Sequence, residues 1–549
     1  MKLLIIGGVA GGATAAARAR RLNENAEIIV FERGEFISFA NCGLPYYIGT
    51  SIKKRDDLLI TTPADFRNRY RIDVRTFSEV VAIDRKNKSV EVRNLQDQTV
   101  YKETYDKILL SPGAAPIRPP IEGVNLDTIF SLRNIPDMDA IKAFVDQEKP
   151  LTAVVVGGGF IGLEMAENLT GRGVKTTIVE MLDQVMAPLD KEMAAIVHRF
   201  LMEGGVKLSL GNAVTAFTRN GKQIRVSTKN GTELMADLVI LSIGIRPENF
   251  LARQAGLKVG EYGGITVDET MCTSDPDIYA VGDAIETLDF LTQVPAIIPL
   301  AGPANKQARI AADNIMGRRT TYPGSLGTAV VKIFDKTIAS TGQSEKKLMQ
   351  QNIPYRKSYT FSGSHASYYP GSETMAIKLL FSPGTGRILG AQVVGGKGVD
   401  KRIDVLATAI HAGMTVFHLE TLELAYAPPY SSAKDPVNMA GFVASNIVKK
   451  DVEVIHWHEL NDLDQKENIL IDLRTKKEIV REGTIGNALH IPVDELRNRL
   501  DELDREKTYI LFCGIGLRGY VAYRILKQNG FSSKNLSGGY TLFSYADML

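Results

Sequence analysis

The stretch that decides the fold is Leu3-Leu4-Ile5-Ile6-Gly7-Gly8-Val9-Ala10-Gly11-Gly12, near the start of a chain of 549 residues. A short apolar run leads into a glycine turn, and the alanine-rich segment 13–22 that follows is predicted to be a helix. A second apolar run then ends in an acid, Glu32. This order is typical of a dinucleotide-binding unit, in which glycines let the backbone approach a pyrophosphate and the acid binds ribose hydroxyls. Val9 is a departure, since the middle glycine of the motif stands one position earlier.

The same order returns later in the chain, and this repeat is the most informative feature of its organisation. The apolar run 153–156 leads into Gly157-Gly158-Gly159-Phe160-Ile161-Gly162, which satisfies G-x-G-x-x-G in full, and the next apolar run ends at Glu180. Two such motifs predict two dinucleotide sites, as a flavin and a nicotinamide that exchange hydride require. A later apolar run ends in Gly282-Asp283, where the acid either binds the ribityl chain of a flavin or belongs to a plain turn.

The residues predicted to bind the two cofactors lie in the glycine turns, in the acids that follow them and at the ends of neighbouring strands. They are Gly7, Gly8, Ala10, Gly11, Gly12, Glu32, Arg33, Ser111, Gly113, Gly157, Gly159, Phe160, Ile161, Gly162, Glu180, Gly244, Gly282, Asp283 and Ala301. Phe160 either covers the flavin until nicotinamide displaces it or simply packs. Glu180 predicts NADH rather than NADPH, because a carboxylate repels a 2′-phosphate.

The chain has three cysteines, and one of them, Cys42, lies in the sequence Asn-Cys-Gly shortly after the first dinucleotide motif. Such a thiol is either a buried structural residue or a nucleophile, and the two cofactor sites favour the nucleophile. Three cysteines cannot build a disulfide framework, which predicts a reducing, cytoplasmic location. A net charge of +2, with no long apolar stretch and no metal-ligand spacing, predicts no nucleic-acid partner, no membrane span and no metal.

The character of the chain changes after residue 327, where alternating apolar and polar residues predict an antiparallel sheet and then a helix over 401–412. The polar stretch 449–468 is interpreted as a junction between domains. Near the end, Cys513-Gly514-Ile515-Gly516-Leu517-Arg518 follows an apolar run and opens a predicted helix. A cysteine there either ends a strand as a structural residue or carries a thiolate or sulfur that backbone N–H groups stabilise.

With these motifs, residues 1–445 resemble the flavin- and nicotinamide-dependent disulfide reductases. The stretch Ser38-Phe39-Ala40-Asn41-Cys42-Gly43 resembles their single-cysteine branch, the coenzyme A disulfide reductases. The tail resembles a rhodanese domain through the cysteine loop 513–518 and Ser537-Gly538-Gly539-Tyr540. The resemblance implies an α/β fold class with two Rossmann-like dinucleotide-binding domains, an α+β dimerisation domain and a C-terminal α/β rhodanese domain. The implied boundaries are 1–150 and 271–325 for the FAD-binding domain, 151–270 for the NAD(P)H-binding domain, 326–447 for the dimerisation domain, 448–465 for a linker and 466–549 for the rhodanese domain.

The resemblance also implies FAD and NADH as cofactors, coenzyme A as substrate or bound carrier, and a homodimer whose subunits share the active site. In this reading Cys42 is the redox-active cysteine, and Tyr368 and Tyr426 reach it from the partner subunit. Cys513 carries a sulfane sulfur, while Arg518 holds an anionic sulfur donor. The implied coenzyme A contacts are Thr14, Arg18, Arg21, Ser38, Asn41, Arg71, Asn305 and Lys434. His365, the histidine nearest Tyr368 in sequence, is interpreted as a surface residue.

Three functions stay open at this point. The first is NAD(P)H-driven reduction of coenzyme A persulfide, polysulfide or coenzyme A disulfide, coupled to rhodanese sulfur transfer. The second is an NADH oxidase or peroxidase in which Cys42 cycles through sulfenic acid. The third is a non-enzymatic flavoprotein redox sensor. The rhodanese tail and the paired tyrosines favour the first.

Overall fold

The computed structural model of the protein describes residues 1–547, which divide into two compact units. Unit 1 comprises residues 1–183 and 204–327, and unit 2 comprises residues 184–203 and the chain from residue 328 onward. The last two residues of the predicted rhodanese domain lie outside the described residues. Within the described part of the chain, no helix combines the length and the apolar character that crossing a membrane demands.

In unit 1 a strand, a helix and a second strand surround each glycine turn, as the two motifs predict, and runs of consecutive strands make up much of the rest. Up to residue 148 the elements are β1 (Lys2–Ile6), α1 (Ala10–Leu22), β2 (Glu27–Phe31), α2 (Leu44–Ile48), α3 (Pro63–Tyr70), β3 (Asp73–Arg75), β4 (Ser78–Asp84), β5 (Ser89–Asn94), β6 (Val100–Thr104), β7 (Lys107–Leu110), β8 (Ala114–Pro116), β9 (Ile129–Ser131) and α4 (Ile135–Glu148). From residue 152 they are β10 (Thr152–Val156), α5 (Phe160–Gly171), β11 (Lys175–Val179), α6 (Lys191–Glu203, within unit 2), β12 (Lys207–Ser209), β13 (Val214–Asn220), β14 (Gln223–Thr228), β15 (Glu233–Ala236), β16 (Leu238–Leu241), β17 (Ile245–Pro247), α7 (Phe250–Gln254), β18 (Ile265–Thr266), β19 (Ile278–Ala280), β20 (Ile285–Leu288), β21 (Pro295–Ala296) and α8 (Ala301–Ile315).

Each glycine turn follows the central strand of its own five-stranded parallel sheet. The first sheet has the strand order β19-β7-β1-β2-β3, and the second has the order β12-β11-β10-β16-β9. Leu3, Leu4 and Ile5 on β1 are fully buried, as expected for a parallel strand covered on both faces. Both turns therefore open at the carboxyl edge of a sheet, where dinucleotides bind in this architecture. The chain confirms the duplication that the two motifs predict.

Unit 2 holds a five-stranded antiparallel sheet and, after it in the chain, a five-stranded parallel sheet. Its elements from residue 328 are β22 (Ala329–Ile333), β23 (Lys336–Gly342), α9 (Glu345–Gln350), β24 (Arg356–Gly363), β25 (Thr374–Phe381), β26 (Ile388–Gly395), α10 (Val399–His411), α11 (Val416–Thr421), α12 (Pro436–Val448), β27 (Val454–Ile455), β28 (Asn468–Asp472), α13 (Lys476–Glu482), β29 (Leu489–His490), β30 (Thr508–Phe512), α14 (Leu517–Gln528), β31 (Ser532–Leu536) and α15 (Gly539–Ala546). The antiparallel order is β22-β23-β26-β25-β24, and the parallel order is β27-β31-β30-β28-β29. The predicted antiparallel sheet and its following helix are confirmed. Strand β27, which pairs with β31, lies inside the stretch interpreted as a junction.

Helix α6 is a component of unit 2, although unit 1 precedes and follows it in sequence. Eight of its thirteen residues are buried, including Glu192 and His198, as expected for a helix enclosed on most sides. Its C-terminal half packs against α15, where the guanidinium of Arg199 lies 5.3 Å from the ring centre of Tyr545. The helix thus joins the antiparallel sheet region to the last helix of the chain.

A buried ionic cluster fixes α6 to the antiparallel sheet. The fully buried ammonium of Lys378 lies 2.8 Å from Asp190, 2.5 Å from Glu192 and 2.5 Å from Glu345. These three carboxylates are close enough together to surround a metal ion, but the lysine already supplies the cation. Removing one partner of such a cluster is costly, because it leaves a buried charge without compensation.

Candidate active site

Cys42 lies in a short 3-10 turn, Asn41–Gly43, immediately before α2, and its side chain is exposed. The preceding backbone is tied to the first glycine turn, because the N–H of Ser38 donates to the carbonyl of Gly8 at 2.9 Å. Ser38 itself has a φ of 45°, a left-handed conformation that costs a serine about 1–3 kcal/mol. A strained residue in the loop that carries an exposed thiol is typical of a functional site.

The surroundings of Cys42 disfavour its thiolate. Partial desolvation raises the pKa of the Cys42 thiol, and the carboxylates of Glu164 and Asp283 raise it further. The residue is exposed as a whole, so the desolvation comes from the side of the sulfur that faces the protein. The thiol is thus reachable, and burial and each neighbouring carboxylate favour its protonated form.

Glu164 is such a neighbour, and sequence analysis did not identify it as a site residue. Burial raises the pKa of the Glu164 carboxyl to about 7, and the charge of Glu167 acts in the same direction, although Tyr46 donates a hydrogen bond at 3.2 Å. Because α2 packs against α5, the loop after Cys42 meets the helix that opens at the second glycine turn. The feature of the sequence that could have identified Glu164 is its position as an acid in the first turns of that helix.

The first glycine turn fits a dinucleotide because the backbone is packed too closely for side chains. A Cβ on Gly12 would lie 1.8 Å from the carbonyl oxygen of Gly7, and one on Gly11 would lie 2.6 Å from the hydroxyl of Ser111. The N–H groups of the first turn of α1 have no partner within the helix, so they are available to a phosphate. The carboxylate of Glu32 accepts a hydrogen bond from the N–H of Gly8 at 2.8 Å, which holds this acid beside the turn.

The second turn repeats this construction and leaves an opening. A Cβ on Gly162 would lie 2.0 Å from the carbonyl oxygen of Gly157, whereas one on Gly159 would meet no atom within 4 Å. The open side of Gly159 gives a pyrophosphate access to the backbone at the start of α5. Glu180 accepts a hydrogen bond from the N–H of Gly158 at 2.7 Å. The half-buried Phe160 and exposed Ile161 begin the helix.

Most residues predicted at neighbouring strand ends lie in turns at the carboxyl edges of the two parallel sheets. Asp283 follows β19, and burial raises the pKa of its carboxyl while Arg133 lowers it. Arg133, which sequence analysis missed, shares Glu248 with Arg33, at 2.7 Å and 2.6 Å respectively. Arg33 is thus held in an ion pair rather than free. Gly113, Gly244 and Gly282 have positive φ, and Ala301 opens α8, which packs against the turn of Asp283.

The predicted coenzyme A contacts fall in several places. Thr14 on α1 and Asn305 on α8 are brought together by a hydrogen bond between their side chains. Arg18 is not a free surface arginine, since it pairs with Asp313 at 2.7 Å. The others are Arg21, Asn41 and Arg71, which are exposed in unit 1, Ser38, which is half-buried there, and Lys434, which is exposed in unit 2 just before α12.

Tyr368 and Tyr426, both in unit 2, form a pair whose hydroxyl oxygens are 2.8 Å apart. Both are exposed, at 74% and 48%, and this hydrogen bond raises the pKa of Tyr368. Tyr426 lines a cavity of about 680 Å³ together with Lys397, Lys401 and Tyr430. Two phenol groups that meet in the open are typical of a surface made to contact another molecule.

His365 lines the same cavity wall and was predicted to lie at the surface. That prediction is wrong, because the residue is buried with 8% exposure. Its ring packs edge-on against Tyr369, and its Nδ1 lies 3.1 Å from the carbonyl oxygen of Ala366. The buried ring supports the tyrosine loop from beneath.

Cys513 directly follows β30, and its loop leads directly into α14. The sulfur is buried and accepts a hydrogen bond from the N–H of Gly516 at 3.2 Å. Arg518 on the first turn of α14 pairs with Glu478 through two contacts, at 2.6 Å and 2.9 Å. A thiol that accepts backbone hydrogen bonds at a helix start can hold a thiolate or a persulfide.

Comparisons with known proteins agree with this arrangement. The model of the pyridine nucleotide-disulphide oxidoreductase family matches residues 1–308, and that of its dimerisation domain matches 328–436. The chain belongs to the pyridine nucleotide-disulphide oxidoreductase family. A rhodanese-like domain model matches residues 456–546. The protein is therefore an NAD(P)H-dependent flavoprotein oxidoreductase with a C-terminal rhodanese domain, which confirms the predicted resemblance and fold class.

Individual relatives cover most or all of the chain. It is 37% identical to the coenzyme A disulfide reductase of Staphylococcus haemolyticus over 447 residues, which are 81% of this chain and 100% of the relative. The structure is similar to reduced CoADR-RHD of Bacillus anthracis, with a TM-score of 0.97 and 49% identity over 99% of this chain and 98% of that chain. It is also similar to an NAD-dependent persulfide reductase from A. fulgidus, with a TM-score of 0.93 and 40% identity over 99% of this chain and 100% of that chain.

Proposed function

We propose that the protein reduces persulfide or disulfide derivatives of coenzyme A at Cys42, while Cys513 exchanges sulfane sulfur. The observation that carries this proposal is the exposed thiol of Cys42, which lies beside the first glycine turn and close to the helix of the second. The similarity to a coenzyme A disulfide reductase and to a persulfide reductase supports coenzyme A derivatives as the substrate class.

In the proposed reaction, the Cys42 thiolate attacks the sulfur that coenzyme A carries. The S–S bond of the substrate breaks, sulfide or coenzyme A thiolate leaves with the electron pair, and a mixed disulfide remains on Cys42. Residues of the two glycine turns would hold FAD and NADH, and the hydride of NADH would provide the two electrons that reopen this disulfide into the Cys42 thiolate and coenzyme A thiolate. Glu164, with a pKa of about 7, can hold or release a proton beside the sulfur during this exchange.

We propose that Tyr368 and Tyr426 donate hydrogen bonds to the thiolate that leaves. Their hydroxyls point to one another and are exposed, so a thiolate can replace one partner of that hydrogen bond. We propose that the active site is shared in a homodimer, with Tyr368 and Tyr426 of the partner subunit as the donors. The match to a dimerisation domain and the exposed tyrosine surface support this arrangement.

The proposed hydride donor is NADH. Glu180 holds its carboxylate at the second glycine turn, where a 2′-phosphate would be repelled and ribose hydroxyls would be accepted. The residues proposed to contact coenzyme A are those of α1, the Cys42 loop, α3 and α8, with Lys434 from the region before α12. Exposed Arg21, Arg71 and Lys434 would bind phosphates of the nucleotide end.

The test is to mix the purified holoprotein with NADH and coenzyme A persulfide. The proposal predicts rapid NADH oxidation with stoichiometric sulfide release, and Cys42→Ser should abolish both. Full activity in Cys42→Ser would overturn the mechanism. Turnover with oxygen or peroxide alone would instead support the oxidase or peroxidase, and a single reduction of the flavin without turnover would support the sensor.

A further inference from the structure

The rhodanese loop has a charge arrangement that bears on which sulfur donor it accepts. The loop 513–518 contributes one charged side chain, Arg518. Its Nη2 lies 3.8 Å from the position that a Cβ on Gly514 would occupy, so the guanidinium lies over the loop that holds Cys513. An unpaired arginine in this place would attract a dianionic donor such as thiosulfate.

That guanidinium is already neutralised. Glu478 accepts hydrogen bonds from both terminal nitrogens of Arg518, and these bonds hold the pKa of the Glu478 carboxyl at about 2. Glu478 is itself fixed, because it also accepts from the N–H and the hydroxyl of Thr475 at 2.8 Å in the capping box of α13. The pair is therefore pre-assembled and ionised at neutral pH, and it presents no net charge to the loop.

A second arginine beside the loop is paired in the same way. Arg474 lies 3.9 Å from the ring centre of Tyr540, whose N–H donates to the carbonyl of Cys513. Arg474 bonds to Asp472 at 2.7 Å and to Glu482 at 3.1 Å. Both arginines near Cys513 are thus paired with carboxylates of the domain, and Arg518 also interacts with the sulfur of Cys513.

The rim of the loop is apolar instead of cationic. Ile515 and Leu517 are 43% and 60% exposed, and Val521 is 39% exposed one helical turn beyond Leu517. Residues four apart on a helix share a face, so Leu517 and Val521 form one apolar strip beside the cysteine loop. Such a strip suits the neutral arm of an extended thiol better than a small hydrated dianion.

We infer that Glu478 is a specificity-determining residue, which makes the rhodanese loop select organic persulfides of extended thiols over the dianion thiosulfate. The inference rests on the proposed sulfur exchange at Cys513. In that step the Cys513 thiolate attacks the outer sulfur of R–S–SH. The R–S bond to that sulfur breaks, R–S⁻ leaves with the electron pair, and Cys513 carries the persulfide with its proton.

The experiment measures thiocyanate formation by the full chain with cyanide as acceptor and either thiosulfate or pantetheine persulfide as donor. Glu478→Gln keeps an acceptor for Thr475 but releases Arg518. We expect its kcat/KM for thiosulfate to rise about tenfold or more, chiefly through KM, as one pair of charge-assisted hydrogen bonds would give. Its kcat/KM for pantetheine persulfide should stay within about twofold of the original.

Three further variants complete the test. Glu478→Asp retains the negative charge beside Arg518, and Glu495→Gln removes a negative charge away from the cysteine loop. Both variants should therefore show the donor preference of the original chain. Ile515→Lys adds an unpaired cation on the exposed rim and should also raise thiosulfate use, even if Glu478→Gln folds poorly. Cys513→Ser supplies the background. An unchanged preference in both Glu478→Gln and Ile515→Lys, or equal changes for both donors, overturns the inference. The thiocyanate assay needs neither flavin nor NADH. Its result is therefore independent of whether the proposed NADH-dependent reduction at Cys42 is observed.

Discussion

At the scale of single residues, the chemistry of Cys42 is governed by acids that are distant in sequence. Cys42 is exposed, yet its pKa is raised because desolvation and the carboxylates of Glu164 and Asp283 disfavour a thiolate. Glu164 itself has a pKa of about 7. The negative charge of Glu164 is therefore absent below neutral pH and present above it. Its effect on the pKa of Cys42 thus changes around pH 7.

The first prediction concerns this field. Glu164→Gln removes the nearby charge and should lower the pKa of Cys42, because one of the causes of its elevation is gone. Alkylation of Cys42 by iodoacetamide should become faster by about threefold or more above pH 7. Below pH 6 the two proteins should react alike, since Glu164 is then protonated. Mass spectrometry of the Cys42 peptide gives the rate at each pH.

The matched control is Glu233→Gln, an exposed acid on β15. It should leave the alkylation rate of Cys42 unchanged at every pH. If Glu164→Gln and Glu233→Gln give the same profile, the carboxylate of Glu164 does not act on the thiol.

At the scale of elements, the two glycine turns follow one plan. Gly12 and Gly162 each approach the carbonyl of the glycine that opens their own turn, and Ser111 and Ser242 stand at equivalent strand ends. Ser242 was not predicted as a site residue, although its position in the repeated pattern was the available signal. The plan explains why the turns tolerate no side chain at these positions, whereas Gly159 faces open space.

The second prediction compares two glycines of α5. Gly162→Ala would place a Cβ 2.0 Å from a backbone oxygen that cannot move aside, so the free energy of unfolding should fall by about 1–3 kcal/mol. Gly171→Ala meets no atom within 4 Å at the end of the same helix and should raise it by up to about 1 kcal/mol. Urea denaturation of both variants measures the difference. Equal stabilities would contradict the packing argument.

The sequence predicted features that depend on local spacing. The strands, glycine turns and acids at Glu32 and Glu180 lie in order along the chain, so their pattern specifies both sheets. The burial of His365, the pairing of Arg18 with Asp313 and the role of Glu164 could not be predicted, because each depends on elements that meet only after folding.

At the scale of the whole molecule, a buried charge cluster couples distant parts of unit 2. Lys378 on β25 compensates Asp190 and Glu192 at α6 and Glu345 at the start of α9. Burial opposes ionisation of Glu345, but Lys378 and Lys357 outweigh it and lower its pKa to about 2. In the unfolded chain the same carboxyl has its ordinary pKa of about 4.5.

The third prediction follows from this difference. A carboxyl whose pKa is lower in the folded state stabilises the fold above its unfolded pKa, and this stabilisation is lost as the pH falls. Glu345 should contribute about 3 kcal/mol at neutral pH, and this contribution should disappear between about pH 4.5 and 2. In Glu345→Gln the urea midpoint of unit 2 should depend less steeply on pH in that window. Glu495→Gln, an exposed acid, serves as control and should retain the original slope.

The fourth prediction concerns the lysine. Lys378→Met leaves the buried carboxylates of Asp190 and Glu192 without this cation, while Glu345 keeps Lys357 at 2.6 Å, so unfolding should become easier by about 3–5 kcal/mol at neutral pH. The loss should shrink in acid, where the carboxylates can take up protons. Thermal unfolding followed at pH 7 and pH 4 measures both effects, and a loss that does not vary with pH would contradict an electrostatic cause.

The position of α6 limits how this protein can be recombined. Lys378 contacts one side of the helix and α15 covers another, while the chain on both sides of the segment 184–203 belongs to unit 1. A shortened chain that stops at residue 447 would therefore uncover the side of α6 that α15 contacts, and a graft of the tail onto another reductase would need a matching α6. The reductase part and the rhodanese domain therefore cannot be exchanged independently of each other. Producing each as a separate stable protein requires the surface of α6 to be redesigned first.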